Sequence, residues 1–432
     1  MRSGELILLL IAALLFAGYV MVTPVGEAPD EAAHVLYLDY LIQNGALPPL
    51  PEGGNPSSYE AHQPPLAYLY SMAILRAAGV EALAYPFVSN PGLDFFTPGS
   101  RAYLPPQDRS LASREGRKVR GARWTNLLWL LLTVWALLRA AQIAGRGAGS
   151  LVAASAFALA PQFLFISASV NNDAAVTAWS SLAFWNLFKL VRQNGQDDPS
   201  VWPAWLGGLF AGLALWSKTS GLFLLAPAAL AAFILVRRRE FSRIFFLWFP
   251  LLMLGGLWLF LNLMRFGSWW PPPPTGFSAS IEQGVLRVLT EPGWIASLGI
   301  SFWAKFGWLN TPLPLLLYAL FAPVSLLVVW GSLNAFRRQP SAMLARLALT
   351  GLAANLALLL LYMVFIDWQP QGRYLFPSLV PFAVLAAAGW QDASARIKAF
   401  AAISERSLAW VGLTAVTLAA LAGLLRITFS YS

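Results

Sequence analysis

About eleven apolar runs recur along this chain, and a run of roughly 17–25 residues matches the thickness of a bilayer as a single helix. They fall at residues 6–22, 124–143, 151–169, 174–191, 205–217, 222–236, 244–263, 312–333, 347–366, 375–390 and 408–425. Charge is too scarce for any other exterior. Charged residues make up 11% and hydrophobic ones 58%, with mean hydropathy +0.60, whereas a soluble domain carries about 25% charge. The expected fold is all-α: a polytopic integral membrane protein of about eleven transmembrane helices. One further segment, 295–308, suits a re-entrant or interfacial position. The first run lacks a convincing small-residue cleavage site before Pro24 and reads as a signal anchor.

Orientation follows from the basic residues. With the amino terminus in the cytoplasm, the inner loops hold Arg139, Arg146, Arg192, Arg237, Arg238, Arg239, Arg243, Arg337, Arg338 and Arg396 among about 15 basic residues, against about 6 acidic ones. The outer segments come out near neutral. The net charge of +9 is thus a topology signal, and nucleic acid is not an expected partner. The chain has no cysteine and two histidines, which excludes disulfides, thiolate zinc sites, a cysteine nucleophile and a His-rich metal site.

The whole chain, 1–432, reads as one transmembrane domain. A first extracytoplasmic loop occupies 23–120 and a second large one 264–311, the latter with a stiff PPPP spacer at 271–274. In the first loop, 30–43 reads as a short amphipathic helix lying on the membrane, opened by Pro29. A second amphipathic helix is expected at 66–78 behind Pro64-Pro65, and the basic stretch 109–123 as a solvated, mobile loop or a headgroup contact. No internal repeat suggests an inverted-repeat transporter.

On this topology the notable polar sequences all fall on one face. Asp30-Glu31-x-x-His34 opens the first outer helix, His62-Gln63-Pro64-Pro65 the second, and Asn171-Asn172-Asp173 and Lys218 sit at the next outer turns. Lys305 with Trp308, and Gln371-Gly372-Arg373-Tyr374, complete the set. Asp30, Glu31 and His34 can share a helical face. Either Asp30 caps the helix, or it is the general base for an acceptor hydroxyl, with Glu31 and His34 orienting it or helping to hold a metal. A divalent cation (Mg or Mn, held by Asp30 and Glu31) is compatible with these groups, but no spacing is diagnostic of one. His62 is either structural or placed to meet a phosphate at a helix amino terminus. Asp173 either caps the helix beginning at Ala174 or serves the site. Arg373 offers a bidentate phosphate contact and Lys218 a point charge, against structural pairing with Asp367 for the first and snorkelling for the second. Lys305 suits interfacial anchoring beside Trp303 and Trp308 equally well.

PDEAAH at 29–34, HQPPLAYLY at 62–70 and SKTSG at 217–221 resemble motifs of the GT-C glycosyltransferases, in particular the protein O-mannosyltransferases and the aminoarabinose–lipid A transferases. PDE-x-x-H, NND, SFWxxFGW at 301–308 and QGRYLFP at 371–377 look like a widespread bacterial membrane family of unknown function placed near that group. The resemblance spans about residues 6–390. It departs from the group in having His62-Gln63 before the diproline, which displaces His62 by one position. The chain also stops without the periplasmic domain of some relatives, so acceptor recognition is expected from the outer loops.

The resemblance implies a glycosyltransferase of the bacterial inner membrane, multi-pass, acting outside the cytoplasm. It would move a sugar from a polyprenyl-phosphate donor, in contact with membrane lipid, to a glycan, lipid or protein hydroxyl. A single in-line displacement would invert the anomeric centre. Asp30 or Glu31 would be catalytic; Arg373, Lys218, His62 and Lys305 would hold the donor phosphate; His34, Asp173, Asn172, Gln371, Tyr374 and Trp308 would bind or orient sugar and acceptor. Two other readings stand beside it. A flippase of lipid-linked sugars needs polar groups at mid-membrane depth, where Asn262 and Asn355 are the isolated candidates. An envelope-assembly scaffold needs Asp30, Glu31 and Arg373 paired so as to close any cavity.

Overall fold

Apolar runs that must satisfy every backbone polar group internally can only coil, and in the computed structural model each predicted run lies on helix. Residues 3–50, 60–145, 147–193, 200–270, 281–336, 342–396 and 405–432 are described. After α1 (Ser3–Val22) the first long loop carries α2 (Glu31–Asn44), α3 (Leu66–Ala77), the paired β1 (Val88–Ser89) and β2 (Tyr103–Leu104), and α4 (Arg109–Arg123). Then follow α5 (Leu127–Ala144), α6 (Ala148–Ala158), α7 (Pro161–Ser167), α8 (Asp173–Arg192), α9 (Trp202–Ser217), α10 (Leu225–Arg237) and α11 (Phe241–Phe266). The second long loop holds α12 (Ile281–Thr290), α13 (Gly293–Trp303), β3 (Lys305–Phe306) and β4 (Thr311–Pro312). The chain ends with α14 (Ala322–Leu333), α15 (Ala342–Phe365), α16 (Leu379–Arg396) and α17 (Glu405–Tyr431). Both strand pairs are antiparallel, Val88 facing Leu104 and Lys305 facing Pro312.

The expected count of eleven spans is not confirmed. Among the described residues eight helices are long and apolar enough to cross a membrane, or nine if α6 and α7, bent by 50° at their break, form one span. The bend falls where Pro161 starts α7 and cannot continue the ladder of α6. Of the remaining predicted runs, α9 is only 16 residues long. The other, α8, carries buried Thr177, Ser180, Ser181 and Asn186. Those polar groups are tolerated because α8 is enclosed by neighbouring helices instead of facing lipid. Its packing against α9, and that of α9 against α11, is the most extensive among the described residues. A Cβ on Gly208 would lie 1.9 Å from the Leu247 carbonyl, and one on Gly212 2.7 Å from Leu254. This small-xxx-small pair lets the two backbones touch.

Two expectations are corrected. α2 does not lie on the membrane: Val35, Leu38 and Ile42 are buried with Leu75, Leu83 and Val119 in a core belonging to the first loop itself. The basic stretch is no mobile loop but α4, capped by Asp108, whose carboxylate accepts from the backbone N–H groups of Ser110 and Leu111. It runs on into α5 as one helical rod, Arg109–Ala144. The tetraproline spacer lies outside the described residues. At the end of the bundle opposite the loops, arginines cap neighbouring chain ends. Arg192 donates to Ile143 O (3.0 Å), Arg238 to Val191 O (3.0 Å) and Arg243 to the Gln193 amide oxygen (2.6 Å).

Candidate active site

The site is built on a buried ion pair. Glu31 and Arg123, both fully buried, meet through two bonds of 2.7 Å. Arg123 also donates to the carbonyls of Val20, Thr23 and Pro24, and Glu31 accepts from the N–H groups of Gly26 and Val170. One pair thus ties together the end of α1, the loop to α2, the start of α2 and the turn before α8. Glu31 was expected to be catalytic or metal-binding. Instead each of its oxygens carries two hydrogen bonds, and it does not face the cavity. The Asp30–Glu31 pair therefore does not fit a divalent cation. Nor do three His, Asp or Glu groups come together for one among the described residues.

On this pedestal Asp30 takes a left-handed backbone (φ 64°), and its side chain makes no cap bond to α2. Non-glycine residues adopt that region at a cost, and such strain concentrates at functional sites. The carboxylate is aimed at Arg373, with which it forms a short charged bond. Arg373, 2% exposed, also donates to Pro29 O (3.3 Å) and lies 3.6 Å from Asp173 Oδ2. Asp173 in turn binds Lys218 Nζ at 2.5 Å. Four charges from four distant segments form one chain, Asp30–Arg373–Asp173–Lys218, two of each sign. Capping is not the task of Asp173, because the Asn171 side-chain oxygen accepts from Ala174 N (3.2 Å). Lys218 does not snorkel: its side chain is 12% exposed and sits over the Tyr374 ring at the break between α9 and a 3-10 turn. Arg373 pairs with Asp30 and Asp173, not Asp367, which instead accepts from Gln369. The Arg373 turn is held by Gly372, whose N–H donates to Ser301 Oγ (2.8 Å), and whose place against Phe302 leaves no room for a Cβ.

The chain of charges borders a cavity of about 540 Å³. Asp30 and Lys218 line its polar end together with His34, Glu60, His62 and Gln63; Leu358, Leu359, Tyr362 and Phe365 of α15 form an apolar wall, with Trp270. His34 Nδ1 is 2.7 Å from the Tyr68 hydroxyl. Asn172 donates to the Gln63 side-chain oxygen (3.1 Å) and His62 Nε2 lies 3.1 Å from Gln63 Nε2. Burial pushes the His34 imidazole down, against the pull of Glu60 and Asp30. Burial would raise the Asp30 carboxyl, but the Arg373 guanidinium overcomes it and holds the group below its ordinary range. Glu60 goes the other way, raised by burial with only partial relief from His34.

Glu60, Tyr68 and Arg123 were not singled out from the sequence. Glu60 stands two residues before His62, and an acid in that proline-rich stretch was the available signal. Nothing local marks Arg123 apart from its place at the boundary between a basic run and an apolar one. Lys305, Trp308 and Gln371 do not line the large cavity. They line a second one of about 250 Å³ with Pro29, Phe95 and Phe96. The Trp308 indole donates to Gly26 O (3.1 Å), and Lys305 donates its backbone N–H to the Gln162 side chain (2.7 Å).

The fold is similar to that of solved membrane glycosyltransferases. Residues 113–264, under half of the chain, match the family described as dolichyl-phosphate-mannose-protein mannosyltransferase. ArnT from Cupriavidus metallidurans, solved bound to undecaprenyl phosphate, aligns over 100% of this chain and 77% of its own at 15% identity, with a TM-score of 0.57. The oligosaccharyltransferase AglB from Archaeoglobus fulgidus, in complex with an inhibitory peptide and a dolichol-phosphate, aligns over 100% of this chain and 55% of its own (13% identity, TM-score 0.52). The arabinofuranosyltransferase AftD from Mycobacteria covers 98% of this chain, which spans 28% of AftD (15% identity, TM-score 0.52). No curated protein matches the chain in sequence.

Proposed function

We propose that this protein is a glycosyltransferase that moves a sugar from a polyprenyl-phosphate donor to an acceptor hydroxyl on the extracytoplasmic face of a bacterial inner membrane. The observation that carries the reading is the junction of the Asp30–Arg373–Asp173–Lys218 chain with a cavity whose other wall is apolar helix. An isoprenoid tail suits the α15 wall, and its phosphate suits the polar end. The similarity in fold to ArnT, solved with undecaprenyl phosphate, supports this choice of donor. Among the described residues the buried Arg373 Nε carries no hydrogen bond.

In the step itself the acceptor oxygen forms a bond to the anomeric carbon while the bond from that carbon to the phosphate oxygen breaks. The hydroxyl proton passes to Asp30 and the electron pair leaves on the polyprenyl phosphate. Lys218 and Arg373 offset the charge that develops there. Arg373 also keeps Asp30 ionised, so that the base form is present throughout the physiological range. Attack opposite the leaving group inverts the anomeric centre. Inner-loop arginines support a cytoplasmic amino terminus and an outward-facing site.

The scaffold reading fares worse because the ion pairs leave the cavity open. For a flippase, Asn262 is spent on Trp269 O and Asn355 on Ser378 Oγ. The test is incubation of purified protein with a panel of polyprenyl-phosphate sugars and acceptors, following release of free polyprenyl phosphate. Acceptor-dependent release with at least one donor is expected, and none with any donor would overturn the proposal.

A further inference from the structure

The second cavity backs onto the first. Pro29 lines the small cavity and Asp30 the large one, while Gln371 lines the small and Gln369 and Tyr374 the large. The partition is therefore two strands of chain, joined where Arg373 donates to Pro29 O. Lys305 enters the small cavity half-buried, and its ammonium has no partner among the described residues. The buried side-chain oxygen of Gln371 likewise accepts nothing among the described residues. An unpaired cation and an orphan acceptor, both partly withdrawn from water, are costly unless something fills the space.

The aromatic wall is held open in the same way. Phe96 is 95% exposed. Its backbone is pinned by Asp94, which accepts from Phe96 N (2.9 Å) and from Thr97 Oγ1 (2.5 Å) and is thereby satisfied. The loop bearing Phe95 and Phe96 is fastened to the opposite wall: Asn310 donates to Ser100 O (2.7 Å), and Gly99 N donates to Thr311 Oγ1 (3.0 Å). In that wall Leu309 sits at φ 62°, a strained position for a branched side chain. Flat aromatic faces beside a free ammonium and a free amide oxygen match a sugar ring that carries both an anionic group and hydroxyl donors.

We infer that the small cavity is the acceptor subsite and that the acceptor is an anionic saccharide. Its negative group pairs with Lys305, a hydroxyl donates to Gln371, and its ring lies against Phe96 and Trp308. This rests on the glycosyl-transfer reading for the word acceptor, but binding itself can be measured without donor or turnover.

Equilibrium binding of a glucuronate-containing tetrasaccharide, glucose 6-phosphate, a neutral tetrasaccharide of equal length and inorganic phosphate tests it, on purified full-length protein in detergent at low salt. The two anionic sugars are expected to bind at least about 10-fold more tightly than the neutral one, the scale of one partly desolvated charge contact. Preference for one of them tells carboxylate from phosphoryl. Lys305→Gln should abolish the preference, and Phe96→Ala should weaken every sugar. Gel filtration and melting of both variants report whether they are folded. Equal binding of neutral and anionic sugars, no binding of either, or an unchanged preference in Lys305→Gln overturns the inference. Competition by inorganic phosphate as strong as by the sugars makes the site a bare anion site and overturns it equally. Acceptor-class binding without polyprenyl phosphate release would instead leave this subsite standing and refute the transferase.

Discussion

Asp30 and Glu31 are neighbours in sequence with separate fates, because Asp30 stands just outside α2 in a left-handed backbone while Glu31 opens the helix. One faces the cavity and Arg373; the other faces inward to an arginine 92 residues away. Removing one partner of such a buried pair costs about 3–5 kcal/mol, since the other charge is left unpaired. Arg123→Ala should therefore lower the melting temperature sharply or abolish folded protein, as gel filtration and thermal melting would register. Glu60 makes a pH-dependent prediction. Its carboxyl is raised by burial, so its contribution to stability is fully present below the ordinary carboxylate value of about 4.3 and is lost as pH rises through its own higher value. Glu60→Gln, which imitates the protonated group, should have a melting temperature that gains on the parent's as pH climbs from 4 to 8. A difference that shrinks with pH would contradict the assignment. The motif PDEAAH placed both acids at the site from sequence alone. Which of them faces the cavity was not legible there, because Arg123 is joined to Glu31 only by the fold.

At the scale of elements, periodicity located the helices well and their surroundings poorly. The apolar stripe of α2 was read as facing lipid, yet it faces Leu75, Leu83 and Val119. A stripe reports that a face leaves water, not whether protein or bilayer receives it. In α8 enclosure has the opposite consequence: a helix surrounded by others can hold serine, threonine and asparagine that a lipid-facing span cannot. The α9–α11 contact gives a direct test. Gly208→Val places carbon where the Leu247 carbonyl lies, and overpacking of this kind costs about 1–3 kcal/mol or more. Because Lys218 sits at the end of α9, the variant should lose activity as well as thermal stability. Gly207→Ala, whose Cβ would meet Leu187 Cδ2 at 3.4 Å, should be tolerated far better.

For the whole molecule, the scarcity of charge predicted a membrane bundle, and the fold of GT-C proteins agrees. The excess of inner arginines predicts which way it sits. The absence of native cysteine makes that easy to measure. In intact cells a membrane-impermeant maleimide should label Phe96→Cys, whereas Ser200→Cys should react only after lysis; the reverse pattern would invert the topology. The central claim is that Asp30 is the base of a glycosyl transfer whose leaving phosphate is held by Lys218 and Arg373. The most direct measurement compares parent and Asp30→Asn for polyprenyl phosphate release from the donor that the parent uses, with donor binding determined in parallel. The account predicts that the variant folds and binds donor but releases at least about 100-fold less, as loss of a general base entails. A folded Asp30→Asn protein that turns over at the parental rate would contradict it.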